Sequence, residues 1–313
     1  FVWTKAYRAP PESSRSSRRS VIKSCVMRDP GPDGVLLVDK PAGLTSRAAV
    51  DRARRAVGTR RIGHAGTLDP FATGLLTLLV GRATRLLPFL EGDQKVYHAG
   101  IRFGHATTTD DLSGEPVGEP APLPARDAVE RAMEAMTGHL LQRPPAFSAK
   151  QVGGMRAYVA ARRGQPLVLD PVGVTVYEWR VLGGDGANLD VEVSCSGGTY
   201  VRALARDLGE AVGSAAHLVS LRRLRSGPFT VDNAQTLAAV DDGNVRLLPS
   251  AQAVAHLPSQ ILDDLDAKRI VHGRSVPARV AGDLAALWHA DALLAIGTRD
   301  GETWRPKVVL RDA

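Results

Sequence analysis
From Gly34 onward, apolar runs of strand length and amphipathic runs of helix length follow one another in no fixed order, and nothing repeats at a constant period. Irregular interleaving of that kind, with no internal repeat, favours an α+β fold over a regular doubly wound one. Val35-Leu36-Leu37-Val38 is an uninterrupted apolar run and reads as a buried strand; residues 96–103 read as another. Asp39 to Gly43 reads as a turn. Ser46 is placed to cap a helix that continues to Val57 and stops at Gly58. Residues 126–137 put Val129, Met133 and Met136 on one helical face, with Gly138 at the end. Residues 199–212 do the same with Val201, Leu204, Ala205, Leu208 and Val212. Val191 to Cys195 alternates like a half-buried strand with Cys195 on the apolar side. From about residue 259 the pattern changes to short strand-like runs, such as 292–296 and 307–310, separated by Gly and Asp turns. These patterns predict an α+β fold with a small β-rich module at the C-terminal end.

At 313 residues the chain exceeds one typical core, which suggests a large catalytic domain over residues 31–245 and a small domain over 256–313, with a linker region within 241–258. Residues 1–30, rich in Ser, Arg and Pro without hydrophobic periodicity, read as a disordered basic leader. Met27 is placed to begin the natural product, which would make the first 26 residues an upstream extension; their Arg-rich, acid-poor character also resembles an organelle transit peptide. The leader matters for the charge argument. It holds seven basic residues against two acidic ones, a balance of +5, so only +2 of the net +7 belongs to the rest. Bulk basicity therefore says little about a partner, and local patches carry that question. The two cysteines, Cys25 and Cys195, form neither a disulfide framework nor a zinc spacing, which fits a reducing cytoplasm. No apolar run spans a bilayer, and no secretory h-region is present in the sequence.

Two stretches are basic and free of acid apart from Asp69 just beyond the first. One runs from Arg52 to Leu68 with Arg54, Arg55, Arg60 and Arg61; the other runs from Ala135 to Leu169 with Arg143, Lys150, Arg156, Arg162, Arg163 and Tyr158. Dispersed cations with a neighbouring aromatic suit a phosphate backbone and a stacked base, although a solvated helix face is the commoner origin of any one Arg run. The densest chemical signal is Arg60-Arg61-Ile62-Gly63-His64-Ala65-Gly66-Thr67-Leu68-Asp69-Pro70, followed by Ala72-Thr73-Gly74. Its Gly, Thr, Asp and Pro residues pack a tight irregular loop. From composition alone, Asp69 reads as an Asx-turn or a helix cap.

Gly63 to Pro70 resembles the catalytic motif of the TruB family, the tRNA pseudouridine-55 synthases. The likeness continues in order along roughly residues 34–230. Val38 to Ser46 resembles the family's opening strand and Lys-Pro turn; Lys95-Val96-Tyr97, ending at Phe103-Gly104, resembles its Tyr motif; Thr107 to Gly114 resembles its Thr/Asp-rich turn. Pro144-Pro145 through Lys150 and Gly154 to Tyr158 resemble its RNA-gripping thumb, at about residues 140–165. Ser196 to Arg202 and Leu221 to Phe229 match the last two motifs, while the C-terminal module resembles a PUA-type RNA-binding domain more loosely. Arg47 after Ser46 and Phe103 at a usually aliphatic place are departures.

The resemblance implies a catalytic domain with a mixed, mainly antiparallel sheet, and isomerisation of the uridine at position 55 of the tRNA T-loop. It implies Asp69 as the catalytic carboxylate, with Arg202 as its cationic partner and Tyr97 stacked on the flipped base and assisting the late deprotonation at C5. Tyr200 and Leu221 would line the same pocket, His64 would fill space vacated in the RNA loop, and Lys150 would contact RNA from the thumb. Lys40 and Pro41 would support the pocket and Asp111 would orient its neighbours. Without the resemblance, the two tyrosines read as core, His64 as structural and Arg202 as a surface helix residue. Base extrusion costs a few kcal/mol of lost stacking, roughly, before any chemistry. A carboxylate in a mostly dry pocket needs a cation beside it to stay ionised. No cofactor and no metal are expected, because the sequence has no glycine-rich phosphate fingerprint or metal-ligand cluster. The implied partner is the T-arm stem-loop, bound by a monomer that needs no protein partner. Three rivals remain open: a nucleoside hydrolase, which would need a second positioned carboxylate; a tRNA chaperone without catalysis; and a guide-RNA-dependent synthase.

Overall fold
A computed structural model describes residues 31–90, 92–148, 150–165 and 167–310, the side chains of Val152 and Arg156 excepted. The expected leader and Met27 lie outside these residues. In chain order come β1 (Gly34–Lys40), helix α1 (Ser46–Val57), β2 (Ile62–His64), β3 (Thr73–Val80), β4 (Lys95–Phe103) and a short hairpin of β5 (Ala106–Thr107) and β6 (Pro116–Val117). Helix α2 (Arg126–Ala135), β7 (Gly138–Gln142), a second hairpin of β8 (Gln151–Val152) and β9 (Met155–Arg156), and α3 (Ala157–Arg162) follow. Then come β10 (Val172–Gly184), β11 (Asn188–Cys195), α4 (Val201–Ala211), β12 (Ala216–Ser226), β13 (Phe229–Thr230), β14 (Gln235–Thr236) and α5 (Leu237–Asp241). The C-terminal part holds β15 (Ser259–Ile261), α6 (Asp264–Val271), β16 (Val276–Pro277), β17 (Leu284–His289), β18 (Ala292–Asp300) and β19 (Thr303–Val309).

The large sheet runs β14-β1-β3-β12-β4-β11-β10-β7, with β13 added to β12 and β2 to β3. Two of its pairings, β1 with β14 and β12 with β3, are parallel, and the others are antiparallel. The sheet is buried on two sides at its centre, which explains why β1 reads as an unbroken apolar run. Leu36 and Val38 enter a core with Leu76, Leu78, Leu204 and Leu208, whereas Val35 and Leu37 enter a second core with Leu75, Leu79 and Leu86. Each fully buried Leu or Val side chain contributes about 1.5–3 kcal/mol relative to exposure.

Three local expectations change. The helix cap is Thr45, whose hydroxyl accepts from Ala48 N at 3.1 Å, and Ser46 is the first helical residue. Ser46 faces inward instead, because its buried hydroxyl fastens the loop that precedes Asp69. The turn after β1 begins at Pro41, since Asp39 and Lys40 still pair with Leu75 and Gly74 of β3. The segment expected as a linker is packed: Leu248 exchanges two backbone hydrogen bonds with Val35, and Ala253 and Val254 are buried.

The C-terminal sheet, in the order β15-β17-β18-β19-β16, closes around Leu287, Leu294, Ile270 and Trp304. Trp304 is fully buried, and its indole N–H donates to Gln260 Oε1 at 2.8 Å, which removes the cost of enclosing that donor. Its other side contributes Ala286, Leu293, Ile296 and Leu310 to the second core, so the β-rich part is anchored on the large sheet by apolar contact.

Candidate active site
The loop of residues 65–72 is held from below before any functional side chain is considered. Leu68 N donates to Ser46 Oγ at 2.8 Å, and Ser46 Oγ donates back to Leu68 O at 2.9 Å. Lys40, fully buried at the end of β1, points its ammonium at three carbonyls: Leu44 O at 2.7 Å, Pro41 O at 2.9 Å and Pro70 O at 3.3 Å. Gly43 N also donates to Pro70 O at 2.8 Å. Burial lowers the Lys40 pKa to about 8; Asp69 opposes that shift, and Arg223 adds to it.

The side chain of Asp69 neither caps a helix nor closes an Asx-turn, which corrects the reading from composition. It meets Arg202 of α4, whose Nε donates to Asp69 Oδ2 at 2.9 Å and Nη2 to Oδ1 at 3.2 Å. This two-point pairing orients a carboxylate as well as attracting it. Arg202 is buried and has further anchors: Nη1 donates to Thr109 O at 2.8 Å and Nη2 to Phe147 O at 3.0 Å. One guanidinium therefore ties together the Asp69 loop, the Thr/Asp-rich turn and the start of the thumb region. A second acid, absent from the motif around Asp69, comes from that turn. Asp111 Oδ2 lies 3.6 Å from Arg202 Nη1, while its Oδ1 accepts from Thr109 Oγ1 and Ser113 N. Burial pushes the Asp69 carboxyl above the ordinary carboxylate value; Arg202 pulls it down, Asp111 raises it, and Lys40 lowers it.

Strand register supplies the rest. Lys40 pairs with Gly74, Gly74 with Arg223, and Arg223 with Tyr97, so one row crosses β1, β3, β12 and β4. Directly opposed residues project to the same face of a sheet. Gly74 must lack a side chain there, because a Cβ would lie 2.3 Å from Arg223 O. Leu221, two residues before Arg223 on β12, shares that face, as the alternation of the strand requires.

Asp69, Arg202, Tyr97, Tyr200 and Leu221, expected together from the sequence, all line one pocket of about 250 Å³. Lys40 lies beneath the loop and supports it without lining the pocket. His64 and Lys150 are not among the pocket's lining residues. His64 sits half-buried on β2, its Nδ1 enclosed without a hydrogen-bond partner, and burial lowers its pKa with Arg223 adding to the effect. Lys150 is half-buried at the base of the β8–β9 hairpin, where its carbonyl accepts from Ala157 N at 2.8 Å. Of the first basic stretch, Arg52 is paired to Asp241 and Arg54 to Asp51, so these two serve the fold.

The same pocket includes residues the sequence reading passed over, above all Arg223, Lys95 and Ser148. Arg223 is 1% exposed; its Nε donates to Leu75 O at 2.7 Å and its Nη2 to Gly66 O at 3.1 Å. Burial raises the pKa of the Tyr97 phenol, and the Arg223 guanidinium draws it back. The signal for Arg223 was the two-residue step from Leu221. Lys95 shares its strand with Tyr97 at the same step. Nothing in the sequence pointed to Gln142, which holds Tyr200 from another strand. Among the described residues, no group of three or more metal-ligating side chains occurs, and no helix is long and apolar enough to cross a membrane.

A paired Asp and Arg in one pocket, carried on this mixed sheet, accord with the class of pseudouridylate synthases, which the family models show. Residues 54–201 match the model of the TruB family pseudouridylate synthase N-terminal domain, and residues 202–256 match the tRNA pseudouridylate synthase B C-terminal domain. The chain belongs to the TruB family. It is 46% identical over 288 residues to the tRNA pseudouridine synthase B of Thermobifida fusca (strain YX), covering 88% of this chain and 98% of that one. It is 42% identical over 294 residues to the protein of the same name from Gloeobacter violaceus, covering 89% of this chain and 99% of that one. Among solved structures, a chain of a Cbf5-Nop10-Gar1 complex superposes with a TM-score of 0.69 at 26% identity, over 89% of this chain and 85% of that chain.

Proposed function
We propose that this protein isomerises a uridine of tRNA to pseudouridine, at position 55 in the T-loop, acting in the cytoplasm as a monomer without an obligatory protein partner. The single observation that carries the reading is the Asp69–Arg202 pair at the wall of a pocket that also holds Tyr97 and Leu221. At about 250 Å³ the pocket lies below the usual range for drug-sized ligands of roughly 300–1,000 Å³, which suits one extruded nucleoside and excludes a stacked helix. Family membership and the names of the relatives point to the same substrate class.

In this reading the flipped uracil packs between Tyr97 and Leu221, with Tyr200 closing the wall. Asp69 acts at the sugar, as nucleophile on C1′ or as base at C2′, and either role requires the ionised form. Burial alone would favour protonation, so Arg202 is needed to keep the charge. Tyr97 would assist the late loss of the C5 proton. The hydrolase alternative needs a carboxylate free to activate water on the far side of the sugar. Asp111 does not suit that task, since it is buried and its oxygens are engaged with Thr109, Ser113 and Arg202. His64 and Lys150 would contact the RNA beyond the extruded base, and residues 140–165 would form the thumb that carries Lys150. The sheet of β15 to β19 would act as a PUA-like RNA-binding domain.

The test is one incubation of the purified protein, without added cofactor, with an unmodified T-arm stem-loop, followed by chemical mapping of pseudouridine. Modification of one loop uridine, lost in Asp69→Asn, is the expected result. Tight binding without modification would favour a chaperone or a partner-dependent enzyme.

A further inference from the structure
Arg223 combines features that its anchoring role leaves unexplained. It is a guanidinium enclosed to 1% exposure, and no carboxylate lies within ion-pairing distance of it among the described residues. Enclosing a cation without an anion is costly unless something compensates. Two carbonyls use part of its fork, and neither carries a negative charge. The residue nevertheless lines the pocket. Gly66 keeps that side open: a Cβ at this position would stand 3.4 Å from Arg223 Nη1 and 3.5 Å from Lys95 Cε. The backbone there, at φ +89°, also disfavours any residue with a side chain. The pocket thus presents, besides the Asp69–Arg202 pair, a second enclosed positive charge, held by Leu75 O and Gly66 O and in register with Tyr97.

We infer that Arg223 is the group that stabilises the uracil anion released when the N-glycosidic bond of the bound uridine breaks. The inference rests on the proposed isomerase activity and assigns a task within it. When the C1′–N1 bond breaks, its electron pair leaves with N1 and spreads over O2 and O4 of the ring. C1′ becomes electron-poor and is relieved either by a bond to the Asp69 carboxylate or by loss of the C2′ proton to it. After the base turns, C5 supplies the pair that forms the new C1′–C5 bond, as the C1′–O bond to Asp69 breaks and its pair returns to the carboxylate, or as Asp69 returns the proton to C2′. The C5 proton is lost, and N1 gains one. Nothing is consumed, and the only charge separation to be stabilised is the uracil anion against the sugar. A buried donor aimed at developing negative charge is worth far more in such a dry site than in water.

The experiment compares wild type, Arg223→Gln and Arg223→Lys in single turnover on two T-arm stem-loops, one with uridine and one with 5-fluorouridine at the reacting position, following loss of the parent nucleoside. Fluorine makes the departing anion intrinsically more stable. A residue whose task is to stabilise that anion therefore matters less for the fluorinated RNA. We expect Arg223→Gln to lose about 10²- to 10³-fold on uridine, and at least tenfold less than that on 5-fluorouridine. Arg223→Lys should recover part of the loss on uridine. Equal deficits on both RNAs, or a wild-type rate for Arg223→Gln, would overturn the assignment. Should Arg223→Gln not fold, Arg223→Lys decides the matter alone, because its displaced charge must still give a smaller deficit on the fluorinated RNA. A wild-type protein that leaves the uridine RNA unmodified would refute the isomerase activity itself, a result distinct from equal deficits in an active enzyme.

Discussion

Gln142 and Tyr200 hold each other through both ends of one side-chain amide: Tyr200 N donates to Gln142 Oε1 at 2.8 Å, and Gln142 Nε2 donates to Tyr200 O at 3.1 Å. Gln142 ends β7 at the edge of the large sheet and is 1% exposed, while Tyr200 begins the turn into α4 and lines the pocket. The amide thus sets where α4 starts, and with it the position of Arg202 two residues later.

Removing that amide should weaken the fold and displace the pocket wall. Gln142→Leu leaves Tyr200 N unpaired, whereas Tyr200 O keeps Leu204 N as a donor at 3.1 Å. An orphaned buried donor costs about 1–3 kcal/mol. Urea unfolding should show a loss of that size, together with a turnover rate that falls more than RNA affinity does. An unchanged midpoint would remove the clamp from this account.

Asp69 and Arg202 should behave as one unit. Asp69→Asn is expected to lower the single-turnover rate by at least about 10²-fold, and Arg202→Ala should do comparable damage by releasing three segments at once. The double variant should be little worse than the poorer single variant, since each change already destroys what the other contributes. Additive losses in the cycle would mean that the two residues act separately.

Activity should fall on both sides of neutrality, for different reasons. On the acid side the rate should drop as Asp69 is protonated, at a pH above the ordinary carboxylate value because burial raises it. On the alkaline side it should drop near pH 8, where Lys40 loses the proton with which it serves three carbonyls. Stability runs the other way over that window. The folded-state pKa of Lys40 lies below the ordinary lysine value of 10.5, so its charge penalises the folded state in full below about 8. That penalty is relieved as pH rises from about 8 to 10.5. Lys40→Arg, which stays charged, should lose the alkaline limb. A wild-type rate that stays flat through pH 8 to 10 would contradict the proposed cradle.

Gly74→Ala should be among the most damaging single-methyl changes in the large sheet. Its φ of +97° is unfavourable for alanine, and the new Cβ would meet Arg223 O at 2.3 Å and Arg223 N at 2.8 Å. Strain of this type costs about 1–3 kcal/mol before the β3–β12 contact is disturbed. Thermal unfolding should show a clear loss, and activity should fall with it through Arg223. Gly43→Ala, also at positive φ but with nothing within 4 Å of a Cβ, should be the milder change and serves as the control.

The sequence was most informative where a residue's task follows from its neighbours in the chain. Val35 to Val38 was legible as a buried strand because an unbroken apolar run has few other uses, and Gly58 as a helix stop because it can take the left-handed conformation. Thr45 and Ser46 were harder to tell apart. Both can cap a helix, and only the position of Leu68 on a distant loop decides which hydroxyl turns inward.

By itself, the sequence determined the family, the α+β order of elements and the pocket residues whose motifs lie along the chain: Asp69, Tyr97, Tyr200, Arg202 and Leu221. Tertiary structure alone decided which groups share that pocket and what holds them there. Strand register set Lys40, Gly74, Arg223 and Tyr97 in one row from four separate segments, and α4 brought Arg202 to Asp69 across 133 residues. The physical reason is that periodicity along a chain fixes the face a side chain takes, whereas its partners depend on how strands are ordered across the sheet. Arg223 shows the difference: its face follows from Leu221 two residues before it, but its burial in the pocket follows only from β12 lying between β3 and β4.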